Sequence, residues 1–237
     1  MGWTFTPDEF AHIWRETEVD RHPYPLRILE TPRTEAEADE LRAQLDERLP
    51  PRSDPDLSAC LRILVAPQTR IVAIGGGHGP STEIRSVACA IYDRAVLAVQ
   101  EPGSGPYFGG RVRLSIGLSA KLGARIAALL PATPAGHEPA RAASAGAIRD
   151  DETVVVTQRA VPSIRRLLLK PHTAEGHIRI EGRLDQPSPQ PPIHYTWIDV
   201  KGDGRYLIKA GDTVHIVPAS AEQLATQLQK RIPAYAR

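Results

Sequence analysis

Apolar residues recur at helical spacing in the first quarter of the chain and at every second position in much of the rest. Phe10, Ile13 and Trp14 share one stripe and predict an amphipathic helix over residues 7–18. Its start is well specified. Thr6 reads as the N-cap, Pro7 as the first helical residue and Glu9 as the closing member of a capping box, with Phe5 and Phe10 placed as a hydrophobic staple. Pro23 and Pro25 end this element, and residues 24–29 read as extended. Thr34 opens a second helix to about residue 49, with Ala38, Leu41 and Leu45 inward. Asp54-Pro55 starts a third helix carrying Leu57, Leu61 and Leu64.

Strands follow. Residues 69–74 form a short apolar run, and the glycine-rich stretch from Gly75 to Pro80 reads as a loop. Residues 83–92 and 95–100 predict a hairpin turning near Asp93-Arg94. A second Gly/Pro loop precedes residues 111–116, where Val112, Leu114 and Ile116 alternate with Arg111, Arg113 and Ser115. Ser119 caps a helix to residue 130 with Leu122, Ile126 and Leu129 on one face. Residues 131–147, rich in Pro, Ala and Gly, read as a linker or mobile loop. Residues 154–156 read as a strand and 162–170 as a helix. A meander then predicts strands at 177–183, 193–200, 205–209 and 213–217, with a tight turn at Gly202-Asp203-Gly204. Ser220 and Gln223 form another capping box, and Leu224, Leu228 and Ile232 make the stripe of the last helix.

One pattern occurs twice. Residues 112–131 run strand, turn, Ser-Ala, amphipathic helix, Leu-Pro, and residues 214–233 run strand, turn, Ser-Ala, amphipathic helix, Ile-Pro. The chain therefore reads as a single α+β domain over residues 1–237. It has two related halves, about 1–130 and 148–237, joined by the loop 131–147.

Composition narrows the function. Over 237 residues, 29 basic and 28 acidic residues leave a charge of +1. Their mixing along the chain gives no basic stripe for nucleic acid and no polybasic patch for a membrane surface. Asp8, Glu9, Glu16, Glu18 and Asp20 break any apolar leader in the first twenty residues, and no run reaches the roughly 20 apolar residues of a membrane helix. The expectation is a cytoplasmic protein without membrane insertion, its Cys60 and Cys89 buried as thiols.

No motif offers reaction chemistry. The Gly75–Gly79 stretch lacks both the Gly-Lys-Ser/Thr ending of a phosphate loop and the glycine spacing of a dinucleotide site, and it leads into a strand. The eight histidines form no His-Glu-x-x-His set, no Cys-x-x-Cys accompanies them, and no Gly-x-Ser-x-Gly elbow occurs. The chain is expected to have no catalytic residue, metal or cofactor. Asp203 and His78 read as exposed turn positions, each costing no more than about 1 kcal/mol on replacement by alanine.

Two features rise above this background. Tyr195 and Trp197 put two aromatic rings in one strand, where each fits core packing as well as an interface. Asp199 and Arg205 flank the glycine turn, where a carboxylate–guanidinium pair would pin the hairpin register.

The stretch from Trp197 through Gly204-Arg205-Tyr206 resembles the late hairpin of the EspG family, proteins associated with ESX (type VII) secretion in actinobacteria. The opening Trp3-Thr-Phe-Thr-Pro-Asp-Glu-Phe10 with Trp14, the leucine-rich stretch 57–67 and the closing strand and helix of residues 214–232 resemble the same family. The resemblance implies a central, mainly antiparallel sheet with two helical bundles and a quasi-two-fold internal duplication. It further implies a chaperone that binds the hydrophobic tip of the PPE subunit in a PE–PPE heterodimer, or a similar secreted helical protein. Mycobacterial members use an extended loop between the second and third strands, to which the short stretch 75–82 corresponds here. On this reading Gly76, Gly77, His78 and Gly79 form an adaptable rim, and Tyr195 and Trp197, with Leu224 and Leu228 of the last helix, form an apolar platform for the partner. A homodimer is a further expectation. The alternatives are a small-molecule-binding or hydrolytic α+β domain, and a subunit that oligomerises through a sheet edge.

Overall fold

The computed structural model of the chain describes residues 1–79, 82–105, 107–149 and 160–232. The element expected at 154–156 lies outside them. Strands β1 (Gly2–Phe5), β2 (Thr69–Gly77), β3 (Ile84–Ile91), β4 (Arg94–Gly105), β5 (Phe108–Leu118), β6 (Arg141–Ser144), β7 (His172–Gly182), β8 (Ile193–Val200), β9 (Arg205–Lys209) and β10 (Thr213–Pro218) form one sheet. Its order is β1-β5-β4-β3-β2-β7-β8-β9-β10-β6, every pairing antiparallel.

That order reads alike outward from the central β2–β7 pair. On each side three hairpin-linked strands follow, and the outermost place goes to the strand that opened that part of the chain. β5 and β10, the strands of the repeated sequence pattern, each lie second from an edge. The helices that follow them, α4 (Leu122–Ala127) and α7 (Ala221–Gln229), meet one another. Gln229 Oε1 accepts from the Gly123 N–H at 3.0 Å and Gln229 Nε2 donates to the Ser119 carbonyl at 3.1 Å.

Strand alternation divides the core between the two faces. On one face, Leu122 and Ile126 of α4 and Leu224 and Leu228 of α7 cover Ile71, Ala73, Ala88, Leu97, Ile178, Tyr195, Trp197 and Leu207. On the other, α1 (Pro7–Trp14) and α3 (Pro55–Val65) cover Val72, Val87, Cys89, Val96, Val112 and Leu114. The same face at the far end carries α5 (Ala145–Arg149) and α6 (Val161–Leu168) against Ile198, Val200, Tyr206, Ile208 and Ile216. Between these two layers β7 runs with Glu175 and His177 exposed.

Local signals place the helices. Both capping boxes form, Thr6 with Glu9 and Ser220 with Gln223. Asp54 caps α3 through the Asp56 and Leu57 N–H groups. The first helix is shorter than its apolar stripe suggests. It stops at Trp14, passes through one 3₁₀ turn and ends on Glu18 at φ 59°. Helix α2 (Glu35–Arg48) buries only Leu45, and Ala38 and Leu41 stay half-covered. Both cysteines are buried free thiols; burial pushes Cys60 up to about 11 and Cys89 up to about 12.

The linker reading of residues 131–147 is corrected. Arg141–Ser144 pairs with β10 as an edge strand, and Ala135 bridges Arg205 in parallel. The Arg205 N–H donates to the Pro134 carbonyl at 2.7 Å, and the Gly136 N–H donates to the Arg205 carbonyl at 3.0 Å. The segment is thus fastened at Arg205 of β9 and along β10.

Candidate docking surface

The glycine stretch is a strand before it is a loop. β2 continues through Gly77, with Gly75, Gly76 and Gly77 paired to Gly176, Glu175 and Ala174 of β7, so the expected loop begins only at His78. The reason lies underneath. Gly75 faces Gly176, and Gly176 faces Trp197 across the next ladder. A Cβ on Gly75, whose φ is 148°, would sit 2.5 Å from the Gly176 Cα and 2.9 Å from the Trp197 ring. A Cβ on Gly176 would sit 2.2 Å from the Ile74 carbonyl oxygen. The wholly buried Trp197 ring occupies the room that the two missing side chains leave.

Beyond β2 the turn is held by its own side chains. Thr82 Oγ1 accepts from the Gly77 N–H at 3.0 Å and donates to the Gly79 carbonyl at 2.8 Å. His78 Nε2 donates to the His172 carbonyl at 2.7 Å, and His172 Nδ1 lies 3.0 Å from Glu175 Oε2. Next to this turn, β4 and β5 project past the end of β3, which starts at Ile84, as a two-stranded ribbon closed by Gly105 opposite Phe108. Tyr107 at its tip is 80 % exposed and Phe108 47 %. Ribbon and turn enclose a groove of about 690 Å³, bordered also by Arg27, His172 and Glu175.

The sequence-expected contact residues therefore separate. Gly76, Gly77, His78 and Gly79 line the groove, with His78 and Gly79 exposed. Tyr195, Trp197, Leu224 and Leu228 do not join them: they lie between the sheet and the α4–α7 pair, Trp197, Leu224 and Leu228 at 0 % exposure. The expectation that these four form the partner's platform is corrected, because their side chains hold the helices on the sheet. Sequence reasoning missed Tyr107, Phe108 and Arg27. The available signal was a Tyr-Phe pair set inside a Gly/Pro loop, where a core would not need it.

The Asp199–Arg205 pair forms. Arg205 Nε donates to Asp199 Oδ1 and Nη2 to Oδ2, both at 2.7 Å, across directly paired positions of β8 and β9. Nη2 also donates to the Pro131 carbonyl at 2.7 Å, Thr133 Oγ1 donates to Asp199 Oδ2 at 2.8 Å, and the guanidinium carbon lies 5.3 Å from the Trp197 ring centre. This wholly buried pair joins the hairpin to the segment that crosses from one half to the other.

Asp203 is no bystander either. It accepts from the His137 N–H at 2.8 Å and the Tyr206 hydroxyl at 2.7 Å, with His137 Nδ1 at 3.0 Å. Tyr206 in turn accepts from the Glu138 N–H, and Glu138 accepts from Lys170 Nζ at 2.6 Å. Burial pushes the Asp203 carboxyl up, but the His137 and Tyr206 donors and the Lys170 charge outweigh it and hold the group below the ordinary 3.8. Burial, then the Asp203 bond, pushes the Tyr206 hydroxyl up to about 12. Asp203→Ala is accordingly expected to cost about 2–3 kcal/mol at pH 7, above the value for an exposed turn. Because the folded carboxyl titrates below its unfolded value, its contribution is complete above 3.8 and is lost as the pH falls through the lower folded value. Urea unfolding at pH 7 and pH 3 checks both statements, and a variant as stable as the parent at pH 7 would refute the first.

Among the described residues no helix is long and apolar enough to cross a membrane. The profile of the EspG family matches residues 6–230. No curated protein sequence matches the chain. Among solved structures the chain is similar to the Mycobacterium tuberculosis type VII secretion system chaperone EspG5, solved in complex with a PE25–PPE41 dimer. The TM-score is 0.64 at 14 % identity, over 98 % of this chain and 95 % of that one. At that identity the likeness is one of fold.

Proposed function

The chain belongs to the EspG family, and from this we propose that it is a cytoplasmic chaperone of a type VII (ESX) secretion system. Its substrate is a PE–PPE heterodimer, held at the apolar tip of the PPE subunit. The observation that carries this reading is the family match over nearly the whole chain, supported by a shared fold with a chaperone solved with its PE–PPE partner. A tip that exposes apolar residues aggregates unless covered. The groove and the ribbon tip beside it offer what covering needs: the exposed Tyr107 ring on the lining, the exposed Phe108 next to it, and a glycine-rich turn whose backbone is open to a close approach. The work is binding and release, which requires no reaction chemistry. We read the two halves of the sheet as copies of one unit. Among the described residues the corresponding β9–β10 hairpin is short, 5 and 6 residues against 12 and 11 for β4 and β5, so the ribbon groove has no counterpart and a single partner is bound.

Co-expression with a PE–PPE pair encoded beside it is expected to give a soluble complex that co-elutes. Replacing Tyr107 and Phe108 together by serine should weaken that complex more than about tenfold and leave the melting temperature close to that of the parent, since both rings are exposed. A pair that stays soluble alone and never co-elutes with this chain would refute the reading.

A further inference from the structure

A second cavity, of about 190 Å³, opens where α1 and α3 meet the uncovered strip of β2 and β7. Its lining is one-sided in charge. Arg21, Arg70 and Arg179 border it, and among the described residues that line it none is an acid. Glu181 pairs with Arg70, at 3.6 Å, and with Arg179 from outside the lining, so one carboxylate serves two of three guanidinium groups. The lining also contains two donors that lack an acceptor. Trp14 is 3 % exposed with its Nε1–H unpartnered, and the Arg179 Nε–H is buried in the same condition. They come from different elements, α1 and β7, and both residues border the one cationic notch whose remaining wall includes Leu64 and Val72. Buried donors without an acceptor are rare in folded proteins and mark the place of one.

We propose that this notch takes a carboxylate on a short aliphatic stem, supplied by an acidic side chain of the docked partner. The apolar wall suits the stem, and a carboxylate is acceptor-only, so it can satisfy both the Arg179 and the Trp14 donor. The volume is below the roughly 300–1,000 Å³ of sites for larger small molecules. Position argues for a partner side chain. Glu175, which borders the groove, and Arg179, which borders the notch, lie four residues apart on one face of β7, roughly 13 Å. A helix is about 10–12 Å across, so a helical tip seated in the groove reaches the notch with its flank. The inference rests on the chaperone reading for its source of carboxylate, and not for the site itself.

The test uses the full chain labelled with ¹⁵N. On saturation with the PE–PPE pair, the Trp14 indole N–H resonance, assigned with Trp14→Phe, is expected to move downfield. The Trp3 resonance should stay, because its Nε1–H already donates to Asp54 at 2.8 Å. Arg179→Gln should weaken the complex about tenfold with an unchanged melting temperature. A complex that forms with the Trp14 signal unmoved, and that Arg179→Gln does not weaken, overturns the notch and leaves the chaperone reading standing. Where no complex forms, that reading falls and glutarate decides the notch alone. A saturable Trp14 shift that Arg179→Gln abolishes keeps the site with a free acid as its source, and no shift overturns it.

Discussion

Replacing Arg205 by alanine is expected to destabilise the protein by about 3–5 kcal/mol, and Asp199→Ala by a similar amount. Each change leaves one charge uncompensated at a position with no solvent exposure, since both side chains are 0 % exposed. Arg205→Ala also removes the donor to the Pro131 carbonyl and the cation over Trp197. Asp199→Ala strands the Thr133 hydroxyl. The double variant is expected to cost clearly less than the sum of the single ones, because the second deletion removes the orphan left by the first. Arg205→Lys should remain damaging, as an ammonium cannot make the two parallel bonds to Asp199. Urea midpoints for the four variants measure this, and a strictly additive cycle would refute a coupled pair. The failure mode has a location. The segment 131–136 and the β8–β9 hairpin share this pair, so the loss should loosen the join between the halves. Hydrogen exchange at the Arg205 and Gly136 amides, both bonded across this join, should rise first.

Gly176→Ala is expected to cost about 3 kcal/mol or more, at the upper end of what one added methyl group does in a packed core. The new Cβ would lie 2.2 Å from the Ile74 carbonyl oxygen and 2.7 Å from Trp197 Nε1. Neither neighbour can yield: one is backbone of the central β2–β7 ladder and the other is a wholly buried ring. Gly75→Ala should be as severe, with backbone strain at φ 148° added to a contact of 2.3 Å with the Glu175 carbonyl oxygen. Gly79→Ala is the control. Nothing lies within 4 Å of its Cβ, so only the strain of φ 151° remains, about 1 kcal/mol. Near-ultraviolet circular dichroism should register the displaced Trp197 in the first two variants and not in the third. A Gly176→Ala protein with the parent's spectrum and stability would show that the ring does not rest on these glycines.

These two positions also separate what each level of description decides. The sequence alone settled much of what depends on neighbours a few residues away. The capping boxes of Thr6 and Ser220 fix helix starts because donor and acceptor are three residues apart. The alternation of Val112 and Leu114 fixes a strand because its two faces differ. The Asp199–Arg205 pair could be anticipated because a tight hairpin must bring its flanks together. The α+β class and the hairpin pairs β3–β4 and β8–β9 followed from the same local information, while the mainly antiparallel central sheet was implied by the family resemblance.

Tertiary structure decided the rest. β1 and β6, four residues each, are strands only because β5 and β10 offer them an edge. The glycines of β2 carry no side-chain pattern, so only their ladder to β7 makes them a strand. Alternation says that Tyr195 and Trp197 share a face, but it does not say that α4 and α7 cover that face. Covering is a relation between segments some hundred positions apart, as in the bond from Gly123 to Gln229. For the same reason Asp203 looked like an ordinary turn residue: Tyr206 is three positions away on β9, but the His137 group it also binds is brought to it by the segment that crosses from the other side of the sheet. The outward-facing groove is visible only once the layers are in place, because an exposed ring differs from a buried one by what packs on it and not by its own sequence.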